Sequence, residues 1–102
     1  MFSAAIDLHH GAAVVRLAGE LDIATLPCLE AVVEGLVEAG ATSLALECRA
    51  VTFIDWTALR RLASLTRGAA AAGVELSVHH LPAPTLELLE LTCLTGVKLG
   101  PA

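Results

Sequence analysis

The spacing of hydrophobic positions changes several times along the chain, and each change marks an element. Ala4 to His9 is a short run of mixed polarity, His10-Gly11 offers a turn, and Ala12 to Ala18 is an apolar run interrupted only by Arg16. This predicts an N-terminal hairpin whose second strand, through Val14, Val15 and Leu17, is buried on at least one face. Gly19-Glu20-Leu21-Asp22 is expected to close that strand. From Thr25 the period lengthens: Leu26, Leu29, Val32, Val33, Leu36 and Val37 fall at helical spacing, with Glu30, Glu34 and Glu38 on another face. Thr25 suits an N-cap, Pro27 suits a first turn where its missing amide hydrogen costs little, and Gly40 suits a left-handed stop.

Leu44-Ala45-Leu46 predicts an interior strand, and a second amphipathic helix begins near Asp55 or Trp56 and continues through Leu59, Leu62, Ala63, Thr66 and Ala69 to Gly73. Its opposite face carries Thr57, Arg60, Arg61, Ser64 and Arg67, which share one ridge because residues three and four apart are helical neighbours. Val74 to Val78 is a third interior strand, followed by His79-His80 and the loop Leu81-Pro82-Ala83-Pro84. A short helix from Pro84 to about Thr92 should turn Leu86, Leu89 and Leu88 inward and Glu87 and Glu90 outward, and Val97-Lys98-Leu99 offers an edge strand. The alternation predicts a single α/β domain over residues 1–102. It is a sandwich with a mixed, mostly parallel central sheet of four to five strands, right-handed crossovers and helices packed on it.

Composition narrows what such a domain can do. The chain has 102 residues, 56% of them hydrophobic, yet only two Phe, one Trp and no Tyr, so the core must be aliphatic. No apolar run reaches the ~18 residues of a membrane span, and the N-terminus lacks a signal-like segment, so a cytoplasmic protein with no membrane association is expected. Six basic against eleven acidic residues give a net charge of −5, which disfavours nucleic acid as a partner. Cys28, Cys48 and Cys93 are widely spaced with no C-x-x-C pair, so buried thiols are expected rather than disulfides or a zinc site. His9, His10, His79 and His80 form adjacent pairs, whose side chains would point to opposite faces of a strand, so they are expected in loops and not as metal ligands. No phosphate-binding or nucleophile-elbow motif is present. A catalytic function, a cofactor and a metal are therefore not expected, and Glu20 and Asp22 are expected to be solvated or capping.

Chemistry or recognition is expected at the strand-to-helix junction Asp55-Trp56-Thr57, where free amide groups and the helix dipole face outward. A hydroxyl there, that of Thr57, is a good place to install a phosphate. The simpler alternative is Asp55 as an N-cap and Thr57 as an ordinary first-turn residue. Trp56 is either packed against a neighbouring loop or presented as an anchor, and the sequence leaves both open.

At these residues the chain resembles the STAS domain family, which includes bacterial anti-sigma-factor antagonists and modules of sulfate transporters. Val15-Arg16-Leu17-Ala18-Gly19-Glu20-Leu21-Asp22-Ile23-Ala24-Thr25 resembles the family's strand and G-E-L-D turn. Val51-Thr52-Phe53-Ile54-Asp55 resembles its approach to the phosphorylation loop, and Leu89-Glu90-Leu91-Thr92 its last helix. The family's loop commonly reads Asp-Ser-[Ser/Thr]-Gly-Leu, with the serine phosphorylated by a partner kinase that is also the anti-sigma factor. Here it reads Asp55-Trp56-Thr57-Ala58-Leu59, and an indole cannot accept a phosphoryl group. Ala58 and Cys93 also stand where glycines are usual. The resemblance implies a non-enzymatic regulator that binds an anti-sigma factor or serine-kinase-like partner through Asp55, Trp56, Thr57, Arg60, Arg61, Ser64 and Arg67, with Thr57 the possible phosphoacceptor. A scaffold or assembly subunit of a larger signalling or transport complex is the alternative, and homo-oligomerisation is left open.

Overall fold

The structure is a computed structural model, and it describes residues 1–92 and 94–100. Its elements are β1 (Ser3–His9), β2 (Ala12–Leu21), α1 (Leu26–Glu38), β3 (Ser43–Ile54), α2 (Trp56–Ala71), β4 (Glu75–His79) and α3 (Ala83–Thr92). The strands form one sheet in the order β1-β2-β3-β4, antiparallel between β1 and β2 and parallel thereafter. After β4 the tail adds an isolated parallel bridge, Val78 to Leu99, at the far edge. The expected mixed, mostly parallel sheet is therefore present.

The strand order fixes the layering. Both crossovers, β2-α1-β3 and β3-α2-β4, step to the next strand in the same direction, and right-handed crossovers of that kind place their helices on one face. Ala13, Val15 and Leu17 of β2, Leu44, Leu46 and Cys48 of β3, and Leu76 and Val78 of β4 line that face and are buried. Leu26, Leu29, Val33 and Leu36 of α1 and Ala58, Leu59, Leu62 and Ala69 of α2 close over them. Packing is aliphatic throughout, as the composition requires. The other face carries small and polar residues, with Arg16, Glu47 and His79 in one cross-strand row.

Several sequence expectations are corrected. Gly19-Glu20-Leu21 does not turn; β2 continues through it. At Gly19 the N-terminal backbone lies so close that an added Cβ would overlap the Met1 carbonyl, and φ is +98°, so only glycine is accommodated. The third strand is far longer than Leu44 to Leu46, because two irregularities in its pairing with β2, between Arg16 and Ala18 and between Gly19 and Glu20, let it absorb extra residues. Buried positions along it therefore fall at Leu44, Leu46, Cys48, Val51 and Ile54, shifting from a spacing of two to a spacing of three.

Thr25 occupies the N-cap position without capping; its hydroxyl donates to the Glu20 carbonyl at 2.9 Å. The Asp22 carboxylate organises this turn, accepting from the amides of Ala24 and Thr25, both at 3.0 Å. In α3 Thr85 is buried and Leu88 and Leu89 are half-buried, while Leu86 is exposed, contrary to expectation. Cys28 is exposed, not buried, because it lies on the outer side of the first turn of α1; Cys93 lies outside the described residues.

Burial, with a smaller contribution from the neighbouring Glu47 carboxylate, pushes the Cys48 thiol up to about 12. Native protein treated with iodoacetamide at mildly alkaline pH should label Cys28 and spare Cys48 until denaturant is added, as read by peptide mass spectrometry. Stability should also fall as pH rises above the ordinary thiol value near 9.0 toward about 12, since the unfolded chain releases this proton first.

Candidate functional site

The parallel strands β2 and β3 end together, with Leu21 opposite Ile54, and the Asp55 amide donates to the Leu21 carbonyl at 3.2 Å. This locks the start of α2 at the sheet's C-terminal rim, the usual position for a binding site in parallel α/β structures. Asp55 has extended backbone angles and its Oδ1 accepts from the Ala58 amide at 2.8 Å, so it is a true N-cap. The same carboxylate places negative charge at the positive end of the helix dipole. Ala58 and Leu59 then enter the core, which turns Trp56, Thr57 and Arg60 outward.

Trp56 is 39% exposed, so it is partly sheltered by the protein and partly open to solvent. Two further exposed apolar residues come from segments ending at the same rim: Phe53 near the end of β3 is 51% exposed and Ile23, just after β2, is 71% exposed. Sequence reasoning missed both. Simple alternation from Val51 would have buried Phe53, but the extra residue at Thr52 turns Phe53 out and Ile54 in. The three-residue spacing from Cys48 to Val51 to Ile54 was the available signal.

Thr57, Arg60, Arg61, Ser64 and Arg67 come together as expected. With Ala63 and Leu94 they line a shallow depression of 370 Å³ along α2. Asp55 and Trp56 stand at its helix-start end and do not line it. The arginines are unequal. Arg61 is ion-paired with Glu30 of α1, and Arg67 reaches the Thr95 carbonyl and the Ser64 hydroxyl, each at 3.4 Å. Arg60 makes no hydrogen bond or ion pair among the described residues, leaving it available to an external anion. Beyond Arg61, an open groove of 480 Å³ runs between α1 and α2.

His10 and His80 fall in turns, as expected, whereas His9 and His79 are the last residues of β1 and β4 and not loop residues. On the sheet's open face His80 holds Glu47 through Nδ1 at 2.8 and 2.9 Å, while Arg49 lies 3.1 Å from its Nε2. Burial opposes ionisation of Glu47, but the hydrogen bond and charge of His80, with Arg49, outweigh it and hold the carboxyl below its ordinary range. Among the described residues no group of His, Cys, Asp and Glu is placed to hold a metal ion, and no helix is long and apolar enough to cross a membrane.

A family model described as "Mlab, STAS domain" matches residues 4–100. The chain belongs to the STAS family. Solved structures agree with this fold. An anti-sigma factor antagonist from Mycobacterium paratuberculosis superposes with a TM-score of 0.81 at 25% identity, covering 100% of this chain and 87% of that one. The Bacillus cell fate determinant SpoIIAA in its phosphorylated form gives 0.70 at 16% identity, covering 88% and 83%. A sulfate transporter family protein from Wolinella succinogenes gives 0.69 at 17% identity, covering 85% and 70%. No match was found among curated protein sequences.

Replacing the Asp55 cap tests the local architecture. Asp55→Ala should cost about 1 kcal/mol of folding stability, the usual worth of such a cap, measured by urea denaturation. Asp55→Asn should retain most of it.

Proposed function

We propose that this STAS domain is an anti-sigma-factor antagonist-like regulator that binds an anti-sigma factor or switch kinase through the loop and helix beginning at Asp55. The observation that carries this reading is the exposure of Trp56 at the start of α2, with Ile23 and Phe53 exposed on the segments that end at the same rim, next to the depression lined by Thr57, Arg60 and Arg67. Exposed aromatic residues next to charged ones are the composition of a protein-binding hot spot, with apolar contact supplying affinity and charge supplying orientation. A binding function needs no catalytic group, and it suits a cytoplasmic protein.

Trp56 has no hydroxyl, so the position commonly phosphorylated in the family is chemically closed here. In this reading Trp56 holds the surface in a permanently binding-competent state, and Thr57, exposed one residue further on, is the one hydroxyl in the first turn able to take a phosphate. About two added negative charges at Thr57 would have to be desolvated on docking, which opposes it. A second reading, a STAS subunit of a larger transport or signalling assembly, is favoured by the match to the sulfate transporter family protein.

The test is affinity for the kinase-like anti-sigma candidate encoded nearest to this chain. Trp56→Ser and Phe53→Ala should each weaken binding by about 2 kcal/mol, and Thr57→Asp should weaken it comparably. If none of the three substitutions changes binding, the surface has been misassigned. Incubation with that partner and ATP should leave Thr57 unmodified; a phosphate there that abolishes binding would replace the permanent state with a displaced switch. Binding only to other STAS-containing chains would favour the second reading.

A further inference from the structure

The β1 edge of the sheet is open, and its geometry specifies what can pair with it. The hairpin turn has His10 at φ +50° and Gly11 at φ +81°, a two-residue type I′ connection in which His9 and Ala12 form the first paired position. Antiparallel pairing alternates, so Ser3, Ala5, Asp7 and His9 bond to β2 while the N–H and C=O groups of Ala4, Ile6 and Leu8 point away from it. Those three residues thus form a continuous row of outward-directed backbone groups. Their side chains lie on the helix-bearing face, opposite Leu17, Val15 and Ala13, but at the edge cover is incomplete: Ile6 is 48% exposed and Leu8 45%. Edge protection is slight, since β1 contains no proline, no lysine and no bulge, and its one charge, Asp7, is on the face opposite Ile6 and Leu8.

We propose that β1 pairs antiparallel with β1 of a second copy of this chain, about a two-fold axis through Ile6. In that register Ile6 faces Ile6 and Ala4 faces Leu8, and all three are the residues whose backbone groups are outward and unpaired by β2. The same register brings together the exposed apolar side chains of both copies on the helix face. On the other face Ala5 lies opposite Asp7 and Ser3 opposite His9, so no like charges meet directly. Asp7, the one carboxylate on the strand, already has its own Arg16 at 3.7 Å. The contact is isologous and closes at two copies. The far edge does not extend it, because both backbone groups of Val78 are taken by the tail, at 2.8 Å to Lys98 and 2.9 Å to Gly100. This inference is independent of the surface at Asp55, which lies at the ends of β2 and β3 and not along β1.

Sedimentation equilibrium on the whole chain tests it. Wild type should show a concentration-dependent species of twice the 10.5 kDa chain mass, with association in the micromolar range expected of a small interface. Ile6→Lys sets two ammonium groups opposite each other on the axis and should give a single 10.5 kDa species with an unchanged far-ultraviolet circular dichroism spectrum. Leu8→Lys should act similarly. Hydrogen exchange supplies a reading in unmutated protein: the amides of Ala4, Ile6 and Leu8 should be protected at high concentration and lose that protection on dilution. A monomer at every concentration, a dimer that both lysine variants leave intact, open-ended polymers, or exchange at these amides independent of concentration would each overturn the proposal.

Discussion

The parallel ladder between β2 and β3 is the constraint on which the molecule depends. These are the two longest strands, and their shared inner face holds Val15, Leu17, Leu46 and Cys48, all essentially inaccessible to water. At one end the hairpin turn is tied to the entry of β3 by the Thr42 amide on the Gly11 carbonyl at 2.7 Å. At the other, the Leu21 carbonyl receives the first residue of the loop into α2. One hydrogen-bonded ladder therefore sets the register of the core and the position of the start of α2 together. A change that slips β2 against β3 would disturb both.

Much of this was legible in the sequence because the strongest signals there are periodic. α1 and α2 announce themselves through apolar positions three and four apart, and the glycines that end them sit just past the last turn at positive φ, Gly40 and Gly73. The ridge of Thr57, Arg60, Arg61, Ser64 and Arg67 followed from helical spacing alone. Less legible were features that depend on pairing partners distant in sequence. The length of β3 was hidden because its extra residues break the alternation that identifies strands. The outward turn of Phe53 was hidden for the same reason. That Arg61 is neutralised by Glu30, 31 residues away, belongs to the packing of α1 beside α2 and has no local signature.

The layering has a functional corollary. Because both crossover helices lie on one side, the molecule separates its surfaces: an apolar rim where α2 begins, an acidic ridge along α1, an open sheet face with the Glu47, His80 and Arg49 cluster, and an unpaired margin at β1. Loss of a buried aliphatic side chain such as Leu46 or Leu59 would be felt at all of them, since each is positioned by the same aliphatic core. Changes at Ile23, Phe53 or Trp56 remove surface contacts and leave that core in place.

The single indole has a practical consequence. With one Trp and no Tyr in the chain, and two Phe that emit only weakly and at shorter wavelength, the indole emission of the folded protein arises from one ring, partly sheltered where α2 begins. A partner docked at the proposed surface would shield that fluorophore and shift its spectrum to the blue, whereas unfolding would wet it and shift the spectrum to the red. Association and denaturation are thus distinguishable by colour, without any attached dye.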